Sequence, residues 1–145
     1  MHKERTLALV EHIPIRWGDM DAMGHVNNTV YFRYMEQIRV TWFEQVFGEL
    51  SSSQQEGIVI INASCNFLKP LTYPGMVEVT MLFGPASRTS FESYYELRMN
   101  GELYADGAAK IVWIDMQQRK SKPLPESIRA LCAACLLYTS PSPRD

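Results

Sequence analysis

What this 145-residue chain lacks narrows its possibilities first. Three cysteines, Cys65, Cys132 and Cys135, are too few for a disulfide framework. No apolar run approaches the length of a membrane span. Met1–Thr6 is charged and no apolar stretch follows, so no signal peptide is expected and the chain reads as a cytoplasmic domain. The 14 Lys and Arg are scattered, and with a net charge of −2 they form no basic stripe for a nucleic acid. There is no internal repeat. His2, His12 and His25 have no spaced Cys or carboxylate companions, so no metal site is expected. What remains, at 46% hydrophobic and 21% charged, is enough for one domain with a real core.

That domain is expected over residues 1–134. The last eleven residues, Cys135–Asp145, have no periodicity, end in a Ser/Pro run, and resemble the in-frame translation of a transposase-type sequencing adapter. They are therefore set aside from fold reasoning, together with the redox reading of Cys132-Ala-Ala-Cys135, and the native C-terminus is expected to be lost after Ala134.

Leu7–Arg16 alternates like an edge strand and contains Pro14. From Asn28 to Phe47 the period changes. Tyr31, Tyr34, Met35, Ile38, Trp42 and Val46 recur at three- and four-residue steps, with Phe32, Val40, Phe43 and Phe47 as a second stripe. The spacing predicts a long helix covered on several sides, capped by Asn27 or Asn28 and stopped at Gly48. A polar loop, Glu49–Gly57, follows. The chain then reads β: Ile58–Leu68 (Val59, Ile61, Ala63, Cys65 and Phe67 on one side), Met76–Phe83, Ser90–Met99 and Leu103–Asp115. Asn100-Gly101 marks a hairpin, and Ala105, Gly107 and Ala109 suit close packing under a helix. Glu126–Ala134 is a short terminal helix. The order predicts an α+β domain in which four strands run as a meander and a curved five-stranded antiparallel sheet wraps the long helix.

Between the first strand and that helix lies Trp17-Gly-Asp19-Met-Asp21-Ala-Met-Gly24-His25-Val-Asn27-Asn28. Two acids, a histidine and glycines on a loop that opens a helix are what carbonyl chemistry needs; a polar turn with an asparagine cap needs them as well. Asp21 can attack a carbonyl carbon, act as a general base toward water, or bond backbone amides as a turn acid. Asp19, two residues from another acid, reads as a solvated or turn-stabilising acid. Gly24 lets backbone approach a substrate without a Cβ in the way. His25 can bond a carbonyl, orient Asp21, or only satisfy the loop. The first-turn amides of the helix are free donors for an oxyanion. Tyr31, Tyr34 and Trp42 read as core or interface, or as walls of an acyl tunnel, and Glu36 with Arg39 as an ordinary helix ion pair.

The motif Asp19-x-Asp21-x-x-Gly24-His25-Val26-Asn27-Asn28-x-x-Tyr31-x-x-Tyr34-x-Glu36-x-x-Arg39 resembles that of hot-dog-fold acyl-CoA thioesterases of the 4-hydroxybenzoyl-CoA thioesterase-like branch. Phe67-x-Lys69-Pro70 with Gly75, and Arg88-Thr89-Ser90-Phe91, are weaker matches, and Met76 stands where relatives carry an acid. The resemblance spans Ile13 to Ile128. It implies a hot-dog fold, hydrolysis of a fatty or aromatic acyl-CoA without a cofactor, and a homodimer or homotetramer with sites at the interface. It assigns Asp21 the catalytic acid, the Asn28 N–H the oxyanion, His25 a catalytic partnership, and Gly24, Tyr31 and, against the bland reading above, Asp19 supporting places. Lys69, Arg88, Thr89 and Ser90 become candidates for contact with coenzyme A; the alternative for each is a solvated corner. The rival readings are an acyl-carrier-protein thioesterase, a dehydratase or a non-catalytic acyl-CoA-binding subunit. A dehydratase wants its histidine and acid on elements of different subunits, which this compact loop does not offer.

Overall fold

The computed structural model describes residues 5–48 and 55–133; the polar loop after Gly48 and the stretch Cys135–Asp145 lie largely or wholly outside these. The elements are β1 (Thr6–Pro14), a single 3-10 turn (Trp17–Asp19), α1 (Asn28–Phe47), β2 (Glu56–Phe67), β3 (Met76–Ala86), β4 (Ser90–Met99), β5 (Glu102–Asp115), β6 (Lys120–Ser121) and α2 (Glu126–Cys132). The strands form one antiparallel sheet in the order β1-β3-β4-β5-β2, with the two-residue β6 beside β5.

Helix α1 begins and ends where its sequence dictates. The Asn27 side chain accepts from the Thr29 N–H at 3.0 Å, a cap worth about 1 kcal/mol. Gly48, at φ +85°, closes the far end in a conformation that favours glycine. Tyr31, Tyr34, Met35, Ile38, Trp42 and Phe43 are buried, whereas Val46 is exposed and Phe47 packs in its stead against Trp113, 5.1 Å between ring centroids. The helix lies close on the sheet because β5 offers no bulk beneath it. A Cβ on Gly107 would come within 2.5 Å of Met35 Sδ and 2.8 Å of the Ser64 carbonyl oxygen. Trp42 meets Phe83 and Phe91 edge-on at 5.0 and 6.1 Å, geometry that suits the ring quadrupole.

Two expectations about β2 change. It does not extend the meander β3-β4-β5 but crosses to pair with β5, leaving β1 to pair with β3. The expected inward face of Val59, Ile61, Ala63, Cys65 and Phe67 is also broken. A bulge between Ile60 and Asn62 shifts the parity, so Ile58 and Ile60 lie opposite Trp113 and Ile111 on the core side before Ala63, Cys65 and Phe67 take over. Ile61 is the extra residue and is 55% exposed. Among the described residues β2 pairs with β5 alone, so its outer edge is open.

Candidate active site

The loop before α1 is a tight ring. A bridge joins Met20 to Val26, the Asp21 N–H donates to the His25 carbonyl (2.7 Å), and the Gly24 N–H donates to the Asp21 carbonyl (3.2 Å). Gly24 makes the return possible at φ +81°, where a Cβ would be strained. Inside the ring, Asp21 Oδ1 accepts from the backbone N–H of Met23 (2.8 Å) and of His25 (3.2 Å). One carboxylate oxygen therefore performs the turn-acid role, while Oδ2 takes no hydrogen bond from the described residues. The turn reading and the chemical reading are compatible, one per oxygen.

Asp21, His25 and Asn28 line one cleft of about 210 Å³, walled by Val26, Tyr31, Phe67 and Leu68 and rimmed by Lys69 and Pro70. The cleft sits between the N-terminus of α1 and the chain leaving β2. The Asn28 N–H, in the first turn, has no partner among the described residues, as the first amides of a helix do not. The His25 imidazole has no hydrogen-bond partner among them either.

Tyr31 holds the far wall. Its hydroxyl accepts from the buried Leu71 N–H at 2.9 Å and lies 3.4 Å from the Lys69 carbonyl, and its ring meets Phe67 edge-on at 4.9 Å. Burial, ahead of all other influences, raises its pKa, so the hydroxyl stays protonated. The Val26 N–H donates to the Leu71 carbonyl (2.9 Å), so loop, helix and the 69–71 segment are one hydrogen-bonded unit. Lys69 is exposed and paired with Glu102, a partner 33 residues away that the sequence pattern does not signal.

Arg88, Thr89 and Ser90 are not in this cleft. Phe67 pairs with Ala105 and Ser90 with Val112, which puts them seven residues apart along β5, about 23 Å at 3.3 Å per residue. That far turn is pinned by the C-terminal segment: the Leu124 N–H donates to the Arg88 carbonyl (2.9 Å), and Arg129 Nη2 donates to the carbonyls of Ser87 (3.2 Å) and Arg88 (3.0 Å). The ion pair expected of Glu36 and Arg39 is likewise replaced. Arg39 turns inward, donates to Tyr95 Oη (3.2 Å) and lies over that ring, 5.4 Å from its centroid. Tyr31, Tyr34 and Trp42 are core residues, at 2, 4 and 3% exposure.

Asp19 does more than stabilise a turn. Its Oδ2 accepts from the Arg16 N–H and from Tyr34 Oη, each at 2.9 Å, and its carbonyl accepts from the Asn27 N–H at 2.9 Å. Fifteen residues separate it from Tyr34, and no spacing rule within one element covers that distance.

Among the described residues no three His, Cys, Asp or Glu side chains cluster as a metal site, and no helix is long and apolar enough to cross a membrane. The sequence profile of the thioesterase-like superfamily matches residues 15–131. The fold is similar to PA2801, a candidate thioesterase from Pseudomonas aeruginosa, at 39% identity and TM-score 0.82, covering 88% of this chain and 99% of that one. It is similar also to BH1999, a gentisyl-coenzyme A thioesterase, at 25% identity and TM-score 0.76, covering 86% and 100%. The long-chain acyl-CoA thioesterase FadM of Escherichia coli (strain K12) is 22% identical over 120 residues, 81% of this chain and 91% of its own. With a helix wrapped by its sheet in the hot-dog manner and a profile match over most of its length, the chain belongs to the thioesterase-like superfamily and is a thioester hydrolase.

Proposed function

We propose that the substrate is a fatty or aromatic acyl-CoA, cleaved to free acid and coenzyme A in the cytoplasm, with Asp21 as the reacting acid. The observation that carries this reading is the division of labour in the Asp21 carboxylate: Oδ1 is fixed by two backbone amides, Oδ2 takes no hydrogen bond from the described residues, and Asp21 lines one cleft with Asn28, whose N–H is likewise unpaired among them. The thioester carbonyl oxygen accepts from Asn28, whose donor strengthens as negative charge develops; the loss of one such donor in other enzymes costs about 3 kcal/mol. Asp21 either attacks the carbonyl carbon, expelling CoA thiolate and leaving a mixed anhydride for water to open, or takes a proton from the attacking water. In both routes the C–S bond breaks, the acyl carbon gains the hydroxyl oxygen, and the departing thiolate takes up the proton that the water gives up, so the products are the acid and the CoA thiol. Gly24 keeps the approach open, and His25 bonds the acyl carbonyl or the carboxylate. Farther along α1 and β2, Val40, Phe43, Ile58 and Ile60 give a second cavity of about 360 Å³ an apolar wall for an acyl chain, with Glu36, Arg39 and Glu56 also lining it.

Lys69, on the rim, meets the CoA phosphates by exchanging Glu102 for them. The open edge of β2, with Val59, Ile61 and Phe67 at 38, 55 and 42% exposure, supports pairing with a second copy. Antiparallel pairing there reverses the second sheet, so its Arg88–Ser90 turn comes to the level of this cleft; in this way those residues enter the site, in a homodimer or a homotetramer built from it.

The test is thiol release from a panel of fatty and aryl CoA thioesters, alongside the same acyl groups on acyl-carrier protein, with light scattering for the oligomer. Turnover of CoA esters by a dimer or tetramer is expected. Turnover confined to the carrier-protein esters, or CoA-ester binding without cleavage, contradicts the reading.

A further inference from the structure

We propose that Asp19 and Tyr34 are a positioning pair: their hydrogen bond fastens the loop carrying Asp21 to helix α1 and so fixes the acid relative to the Asn28 amide. The inference rests on the reading of Asp21 and Asn28 given above. Asp19 is two residues before the acid, and Asn27, whose N–H it holds, is one residue before the oxyanion donor. Through its carboxylate it also holds the Arg16 N–H, where the chain leaves β1. Two backbone amides and one helix side chain therefore converge on one residue. It lies outside the cleft lining, so its influence on the reaction passes through geometry.

Tyr34 suits the other half of the pair. It stands two turns into α1 with its ring buried in the core at 4% exposure, so its hydroxyl reports the position of the helix rather than of a mobile side chain. Burial first, then the bond to Asp19, raise its pKa well above the usual phenol value, and it remains a donor throughout the pH range of an esterase assay. A charge-assisted bond of this kind is stronger than a neutral one. Loss of the bond frees the loop to shift by fractions of an ångström, and a 1 Å misplacement of a catalytic group costs about 100-fold in rate.

The experiment compares wild type, Tyr34→Phe, Asp19→Asn and the double variant on a CoA ester that the wild type cleaves. Amide exchange at Asn27 is measured on the same samples. Tyr34→Phe retains the ring and its packing. Its kcat is expected to fall roughly 10- to 100-fold with KM within about twofold, a split that general destabilisation does not produce. The double variant is expected to be no slower than the slower single variant, because both remove one bond. Exchange at Asn27 is expected to accelerate about tenfold in Tyr34→Phe while amides of β3 do not change. A kcat within twofold of wild type, or losses that add, overturns the proposal. If the wild type cleaves no thioester, the proposed function has failed. The pair is then judged by exchange alone: unchanged protection of Asn27 in Tyr34→Phe overturns it, and lost protection upholds the fastening. If Asp19→Asn does not fold, Tyr34→Phe decides both readouts.

Discussion

Replacing Tyr31 by Phe removes one oxygen from the wall of the cleft and very little else. The ring keeps its place against Phe67 and in the core, because Phe occupies the same volume. What is lost is the acceptor for the Leu71 N–H at 2.9 Å, in a residue that is 0% exposed. The second contact, 3.4 Å to the Lys69 carbonyl, is too long to count for much. An orphaned buried donor costs about 1–3 kcal/mol. For a domain of this size that lowers Tm by roughly 3–10 °C. Urea unfolding gives the free-energy change directly, and the m-value is expected to stay constant because the same surface is exposed on unfolding. A second effect follows from position. The Tyr31 hydroxyl holds Leu71, two residues after Lys69 on the rim, so the rim shifts and KM for a CoA ester is expected to rise more than kcat falls. A stability loss below about 0.3 kcal/mol with unchanged KM would show that the hydroxyl does not hold the 69–71 segment.

Gly107→Ala is expected to cost about 1–3 kcal/mol in urea unfolding, since the new methyl meets both Met35 Sδ and the less movable Ser64 carbonyl. Glu56 accepts from Lys122 Nζ (2.9 Å) and Trp113 Nε1 (2.6 Å), and these bonds, that from Lys122 foremost, hold its pKa below 4.5. A depressed carboxylate contributes stability above its unfolded pKa and loses it as pH falls through the folded value. Glu56→Gln therefore lowers Tm at pH 7, and the gap to wild type closes as pH drops below 4.5. Burial pushes the Cys65 thiol up to about 12 and the Cys132 thiol to about 11, so both are almost wholly protonated at pH 8. In a Cys135→Ser background, labelling by a disulfide reagent at pH 8 is expected to be at least about 100-fold slower in the native protein than after unfolding; equal rates contradict the partial burial of these thiols.

Local patterns carried most of the fold. The change of period at Asn28, the Asn27 cap and the Gly48 stop depend on neighbours within a few residues, and each stands where the sequence puts it. Asn100 and Gly101, with φ of 53° and 81°, form the expected hairpin turn for the same reason. The place of β2 was not legible. Pairing with β5 instead of β3 depends on contacts formed across the whole chain, and the bulge at Ile61 has no marker in a run of apolar residues that fits either parity. The site divides along the same line. Asp21, His25, Asn28 and Tyr31 share one loop and one helix turn and line one cleft, a convergence that the motif implied, and Lys69 joins them by the chain's path out of β2, whereas Gly24 shapes the loop from outside the lining. Asp19 with Tyr34, Lys69 with Glu102 and Arg39 with Tyr95 are pairs made by the tertiary fold. The Arg88–Ser90 turn shows the limit of motif matching: its residues fit, but within one chain the sheet carries them to the other end.

Asp21→Asn tests the central claim most directly, because the amide can keep the turn while removing the acid. Its Oδ1 still accepts from the amides of Met23 and His25, and only the oxygen without a hydrogen bond among the described residues is replaced by nitrogen. Steady-state thiol release from the best CoA ester, with unfolding and CoA binding measured on the same protein, separates the two roles. The account predicts kcat lower by on the order of 10²–10⁴ with folding and CoA affinity unchanged. Full turnover in Asp21→Asn would contradict it.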